Sequence, residues 1–193
     1  MIKLETDNYY NSHQHEAYIT NQTERHIQKS SLRRHRDHYR NVFDMCALFF
    51  NDKMREGICL GVRNDRESRA FQELFLTKVN IKFETYSLDL VQRPPKEIQT
   101  DYIMDFNILP DDWDNKWDFI YSNSIDHATS ATKAYNEWYK TLKPRGIMVV
   151  GFPLNYPANK SDCCSFSKKS VDSFFEKENF NVLRVFSLDD LYY

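Results

Sequence analysis

Long apolar runs, closely spaced cysteine pairs and an excess of either charge are all missing from this chain of 193 residues. No stretch approaches the roughly 18 apolar residues of a membrane span, and Met1 to Asn11 holds no apolar core of a secretion signal. A soluble, cytoplasmic protein is expected. The four cysteines, Cys46, Cys59, Cys163 and Cys164, contain no CxxC spacing and form no dense framework, which points to a reducing compartment. Cys46 and Cys59 lie in apolar segments and should act as small core residues, whereas Cys163-Cys164 sit in a polar loop and should be exposed rather than bridged. Lys plus Arg number 26 against 28 Asp plus Glu, a formal charge of −2, which argues against a protein that coats nucleic acid. What is present is enough to build a core: 41% hydrophobic and 15% aromatic residues exclude wholesale disorder, and the length suits one domain with a short appendage.

Residues 1–30 are polar, show no sustained period and are expected to form an arm or lid that orders only by docking; residues 31–193 form the domain proper. From Leu32 the pattern turns helical. Tyr39, Val42, Phe43, Cys46, Ala47 and Phe50 recur at helical spacing, so an amphipathic helix should end near Asn51-Asp52. Gly57 to Val62 reads as a short buried strand. Ala70, Phe71, Leu74 and Phe75 mark the next helix. Strands are expected over Ile81 to Leu88, Tyr102 to Met104 and Trp117 to Ser122, then a helix carrying Ala131, Ala134, Tyr135, Trp138 and Leu142 that stops at Lys143-Pro144-Arg145-Gly146. Ile147 to Phe152 is the most strand-like segment, and a helix with Val171, Phe174 and Phe175 and a strand near Asn181 to Phe186 close the chain. Strands alternating with helices predict a three-layer, doubly wound α/β domain with a mainly parallel sheet. No internal repeat is evident.

In such sheets ligands bind beyond the carboxyl ends of the strands, where strand order reverses. Those ends are polar or acidic here: Gly61 to Glu67, Asp89, Asp105-Phe106, and Asn123 to His127. A carboxylate at the second strand end can accept both hydroxyls of a ribose, and Asp89 meets that need. Asp105-Phe106 offers an adenine an acceptor and an aromatic wall. Gly61 lets backbone approach a ligand, but the first loop has neither GxGxxG nor GxxxxGK[ST] and carries Asp65 and Glu67, which disfavours dinucleotides and nucleoside triphosphates.

The stretch Trp117-Asp118-Phe119-Ile120-Tyr121-Ser122-Asn123-Ser124-Ile125-Asp126-His127, followed by Tyr135-Asn136-Glu137-Trp138 and Leu142-Lys143-Pro144-Arg145-Gly146, resembles the fourth strand, following helix and LKPGG turn of class I S-adenosylmethionine-dependent methyltransferases. The similarity runs from about Glu56 to Phe152. It implies a Rossmann-like methyltransferase fold, S-adenosylmethionine as cofactor, and methyl transfer to a small-molecule acceptor. Carried over by position, Gly61 would face the methionine portion of the cofactor, with Asn64 and Glu67 beside it in the first loop. Asp89 would hold the ribose, Asp105 and Phe106 the adenine, and Asn123 the rim beside the sulfonium. The chain departs from the family in four places. Asp65 stands where a second glycine is usual; Gly61 to Asp89 is long enough that Glu84 rivals Asp89; Arg145 replaces a glycine of the LKPGG turn; and one C-terminal strand stands where a pair is usual, a reduced strand pair.

Methyl transfer from a sulfonium is an in-line displacement in which the protein mostly aligns the groups, and a base is needed only for a protonated nucleophile. His127 is the candidate base, with Asp126 or another acid fixing its tautomer; the plainer reading is that both residues cap the helix starting near Thr129. The absence of [DN]PP[YF] after the fourth strand and of a Pro-Cys nucleophile counts against amide, exocyclic-amine and cytosine methylation. A hydroxyl of a small acceptor, a carbohydrate or surface-glycan precursor, is expected. The alternatives are a degenerate fold kept as a binding or regulatory module, and an RNA-binding protein using the basic run 25–40. His13 and His15 form an HxH pair without clustered partners and read as part of a solvated arm, so no metal site is assigned.

Overall fold

The computed structural model describes residue 4 and residues 7–10, 14–28, 36–62, 65–92 and 99–177. In chain order its elements are β1 (Asp7–Asn8), α1 (His15–Gln28), α2 (Arg36–Cys46), β2 (Glu56–Leu60), α3 (Arg66–Val79), β3 (Glu84–Asp89), β4 (Tyr102–Ile103), β5 (Trp117–Ser122), α4 (Ala131–Thr141), β6 (Leu142–Val150), β7 (Cys164–Ser165) and α5 (Lys168–Lys177). The main sheet has the order β4-β3-β2-β5-β6 and is parallel throughout. Strand order therefore reverses between β2 and β5, and the crevice beyond their carboxyl ends is where a ligand is expected.

Alternation along the strands sends side chains to two cores. Ile58, Leu60 and Ile120 join α4 and α5 residues such as Trp138 and Phe174 in one core, while Cys59, Phe119 and Tyr121 join Phe43, Phe71 and Phe75 of α2 and α3 in the other. Burial on both faces explains why these strands are continuous apolar runs. Helix α4 buries Ala131, Ala134, Tyr135 and Trp138, one stripe at helical spacing, and Ser130 caps its start by accepting from the Lys133 amide. Asn80 ends α3 in the left-handed region at φ 54°.

The structure differs from the sequence reading in several places. The expected strand at Ile81 starts at Glu84, and β6 begins at Leu142, directly after α4, rather than at Ile147. Its Lys143 to Gly146 segment is a bulge: Trp117 pairs with Leu142 and Phe119 with Ile147, so two steps along β5 match five along β6, and Arg145 takes φ 70°. Residues 15–28 of the aperiodic N-terminal segment form the 14-residue helix α1. The segment is bound to its own chain: β1 pairs antiparallel with β7, the Tyr9 amide donates to the Cys163 carbonyl at 2.7 Å, and Tyr10 and Tyr18 are buried with Cys163. That docking also reverses the expectation for Cys163-Cys164, which are buried at 0% and 3% exposure rather than exposed; all four cysteines are free thiols. The strand expected near Asn181 to Phe186 and much of the basic run 25–40 lie outside the described residues. No helix among the described residues is long and apolar enough to cross a membrane.

Candidate active site

A small cleft opens at the carboxyl ends of β2, β3 and β5. Its floor is Gly61, which leaves β2 at φ 71° with its amide donating to the Leu88 carbonyl (2.8 Å) and its carbonyl accepting from Ser124 Oγ (3.0 Å). A Cβ at this position would stand 2.7 Å from Ser124 Cβ and 3.2 Å from the Phe106 ring, so only glycine lets these two pack so close to the strand tip. Asp89, fully buried at the tip of β3, accepts from the Val91 amide through Oδ1 (3.0 Å), and its carbonyl accepts from the Met104 amide (2.9 Å), which ties β4 to the site. Asp105, two residues past β4, accepts from the Asn107 amide and side chain through Oδ1 (2.9 and 2.6 Å). Its Oδ2 is buried with no hydrogen bond, His15 Nε2 standing 3.6 Å away. The Phe106 ring packs edge-on against Trp138, whose indole donates to the Phe106 carbonyl (2.9 Å).

Gly61, Asp89, Asp105, Phe106 and His127 thus line one cavity, joined by Leu90, Ser124 and two residues of α1, Tyr18 and Gln22. Glu67 and Asn123 lie next to it but bind each other: Asn123 Nδ2 donates to Glu67 Oε1 (2.9 Å), which also accepts from Tyr39 OH (3.1 Å). Asn64 falls outside the described residues. Glu84 opens β3, at the end of the strand away from the cavity, where its carboxylate accepts from Tyr86 OH (3.0 Å). The acid of Asp65, in the place of a second glycine, is met by Ser68 and by Arg69 of α3, which offsets the charge expected to repel anions.

His127 and Asp126 sit in a one-turn 3-10 segment (Ile125–His127) ahead of α4, whose cap is Ser130, so neither caps the helix. The partner of the imidazole is not Asp126. Nδ1 lies 2.7 Å from the Ser161 carbonyl and 3.5 Å from Asp162 Oδ1, and that acid is bound by Arg25 of α1 at 2.9 Å. Burial, reinforced by Asp162, pushes the Asp126 carboxyl up against the opposing effect of His127 and Arg25, and its Oδ1 is buried without a hydrogen bond. Burial also opposes the Asp162 charge, yet Arg25, Asn159 and His127 together hold that carboxyl below the ordinary range. Tyr18, pushed well up first by burial and then by Asp105 and Asp89, keeps its phenol proton while its oxygen accepts from Asn107 Nδ2 (3.2 Å).

No family model matches the chain, and no curated protein matches it. Among solved structures it is similar to phosphoethanolamine N-methyltransferase 2 of Haemonchus contortus in complex with phosphomonomethylethanolamine and S-adenosylhomocysteine, with a TM-score of 0.53 and 14% identity over 74% of this chain. The fold is that of the class I methyltransferases. This chain covers 37% of the length of that methyltransferase. A weaker likeness is to DesVI of Streptomyces venezuelae, at a TM-score of 0.44 and 14% identity over 78% of this chain and 62% of its own.

Tyr18, Gln22, Leu90 and Ser124 were absent from the sequence-derived set. His15, Tyr18, Gln22 and Arg25 recur at steps of three, four and three, one face of a helix, but the stripe is polar and aromatic rather than apolar. A search for apolar periodicity passes over it.

Proposed function

We propose that the protein transfers a methyl group from S-adenosylmethionine to a hydroxyl of a small acceptor, of the carbohydrate class. One observation carries the reading: two acids from the tips of neighbouring strands, Asp89 and Asp105, line a single cavity with a glycine whose place no side chain could take without striking Ser124. The residues fit an adenosyl group. Asp89 offers a buried carboxylate to vicinal hydroxyls, and Asp105 Oδ2 is a buried acceptor lacking the donor that an exocyclic amine provides. Phe106 supplies an aromatic wall. S-adenosylmethionine would supply an activated methyl carbon, which the residues of this cleft would align with the acceptor. His127 accepts the proton of the incoming hydroxyl through Nε2, since Nδ1 faces a carbonyl.

Calorimetric titration of the full chain with S-adenosylmethionine tests the reading, and Asp89→Asn tests the assignment. Asp89→Asn keeps the acceptor for the Val91 amide but removes the charge, so affinity should fall by about 1.5–3 kcal/mol, roughly 10- to 150-fold. Glu84→Gln should leave it unchanged. Absence of heat with millimolar cofactor rejects the enzymatic reading, and equal affinity of Asp89→Asn and the parent rejects the ribose role.

A further inference from the structure

We propose that the acceptor end of this cavity is specific for a nucleophile presented on a hydrogen-donating group, hydroxyl or ammonium, without an anionic substituent, and that Gln22 is a specificity-determining residue there. The inference rests on the cofactor reading above for the cavity's other end. It starts from one main-chain atom. The Ser161 carbonyl lies 2.8 Å from Gln22 Nε2 and 2.7 Å from His127 Nδ1. A carbonyl only accepts, so both neighbours must donate. His127 therefore carries its neutral-state proton on Nδ1 and keeps a bare lone pair on Nε2. Gln22, 2% exposed, commits its amide nitrogen to Ser161, and its Oε1 is left buried with no hydrogen-bond partner among the described residues.

The carbonyl is held in place by its own loop. Asn159 Oδ1 accepts from the Ser161 and Asp162 amides (2.8 and 3.1 Å), and the Asn159 amide donates to the Asp162 carbonyl (2.8 Å). Arg25 then ties Asp162 to the helix that carries Gln22. One turn of loop thus orients a side chain from each wall, and in both cases the group left over is an acceptor.

The rest of the lining completes the inventory. Asp89 and Asp105 belong to the cofactor's end, which leaves Gln22 Oε1 and His127 Nε2 as acceptors here beside Tyr18 OH, a neutral donor. Among the described residues, no Lys or Arg lines the cavity. An orphaned buried acceptor costs about 1–3 kcal/mol until a donor arrives, so a hydroxyl or ammonium gains by filling this end. A phosphate or carboxylate brings only acceptors to Gln22 Oε1 and to a bare His127 Nε2, and would be desolvated without a donor from either.

Nuclear magnetic resonance on the full chain with nitrogen-labelled histidine and glutamine tests this. His127 is expected as the Nδ1–H tautomer whether or not cofactor binds; an Nε2–H tautomer overturns the proposal independently of the fate of the cofactor reading, which calorimetry decides separately. With S-adenosylhomocysteine present, the His127 and Gln22 side-chain signals are then followed during titration with two matched pairs, glycerol and glycerol 3-phosphate, ethanolamine and phosphoethanolamine. Fragments this small bind at millimolar strength at best, so each is taken to about 100 mM. Movement with glycerol or ethanolamine but not with their esters supports the proposal, the responding member telling hydroxyl from ammonium. Movement with the esters, or with none of the four, overturns it. Gln22→Leu should weaken the productive response about tenfold while S-adenosylhomocysteine affinity stays within about twofold; an unaltered response removes Gln22 from the role.

Discussion

Gly61 carries two independent constraints at the residue scale. Its φ of 71° is costly for any residue with a Cβ, about 1–2 kcal/mol, and the Cβ would also press on Ser124. Gly61→Ala should therefore lose about 2 kcal/mol or more of unfolding free energy in urea and weaken S-adenosylmethionine binding. Adding Ser124→Gly relieves the collision but not the dihedral, so the double variant should recover only part of the stability. Full recovery would show that contact alone makes the glycine necessary; no loss in the single variant would show that the loop relaxes freely. The acids around Gly61 were legible because Asp at or just past a strand's end is a pattern in the sequence, and Asp89 and Asp105 both line the cavity. The partner of His127 was not legible. It is a main-chain carbonyl, Ser161, with Asp162 3.5 Å from the same nitrogen; a backbone atom leaves no mark in residue types, so the sequence offered only side chains, Asp126 or another acid.

Elements were legible where burial is apolar. β5 is buried on both sides, so Trp117 to Ser122 announces itself, and α4 shows its stripe of Ala131, Ala134, Tyr135 and Trp138. α1 is the counter-example. It docks through Tyr18, Gln22 and Arg25, so its buried face is built from hydrogen bonds and one phenol. β4 has two residues and is held partly by polar contacts, Asp101 accepting from the Ser87 amide and hydroxyl (2.7 Å each). Helices fastened by polar contacts open more readily than packed cores, and the Arg25–Asp162 pair, partly exposed, is worth roughly 1 kcal/mol. Arg25→Gln should speed amide hydrogen exchange across His15–Gln28 about fivefold and leave β2 and β5 unchanged. Equal acceleration of the core strands would mean that α1 belongs to the global folding unit rather than covering it.

At the scale of the whole molecule, the reversal of strand order between β2 and β5 puts every strand tip used by the site on one side, and helices on both faces leave the sheet with two sealed cores. That sealing has a consequence for alkaline stability. Burial pushes the Cys46 thiol from 9.0 up to about 11; Cys163, chiefly by burial with Asp162 and Asp126 adding to it, rises from 9.0 to about 12; Cys59, wholly enclosed, rises well above the ordinary value. Each is a group whose folded form holds its proton more tightly than the unfolded chain does. The stability they contribute is complete below pH 9 and falls as pH climbs toward the folded values, because the unfolded chain ionises first. Each thiol contributes a slope of about 1.4 kcal/mol per pH unit once it is fully inside that window. Unfolding free energy from urea titrations should therefore drop by roughly 6 kcal/mol between pH 8 and about pH 10.5, about 2 from each thiol. Cys163→Ala should reduce the slope by about one thiol's share even as it lowers stability at pH 8. A flat profile over that range, or rapid reaction of native thiols with a disulfide reagent at pH 8, would mean that these cysteines are open to water and that the arm over Cys163 does not seal its side of the fold.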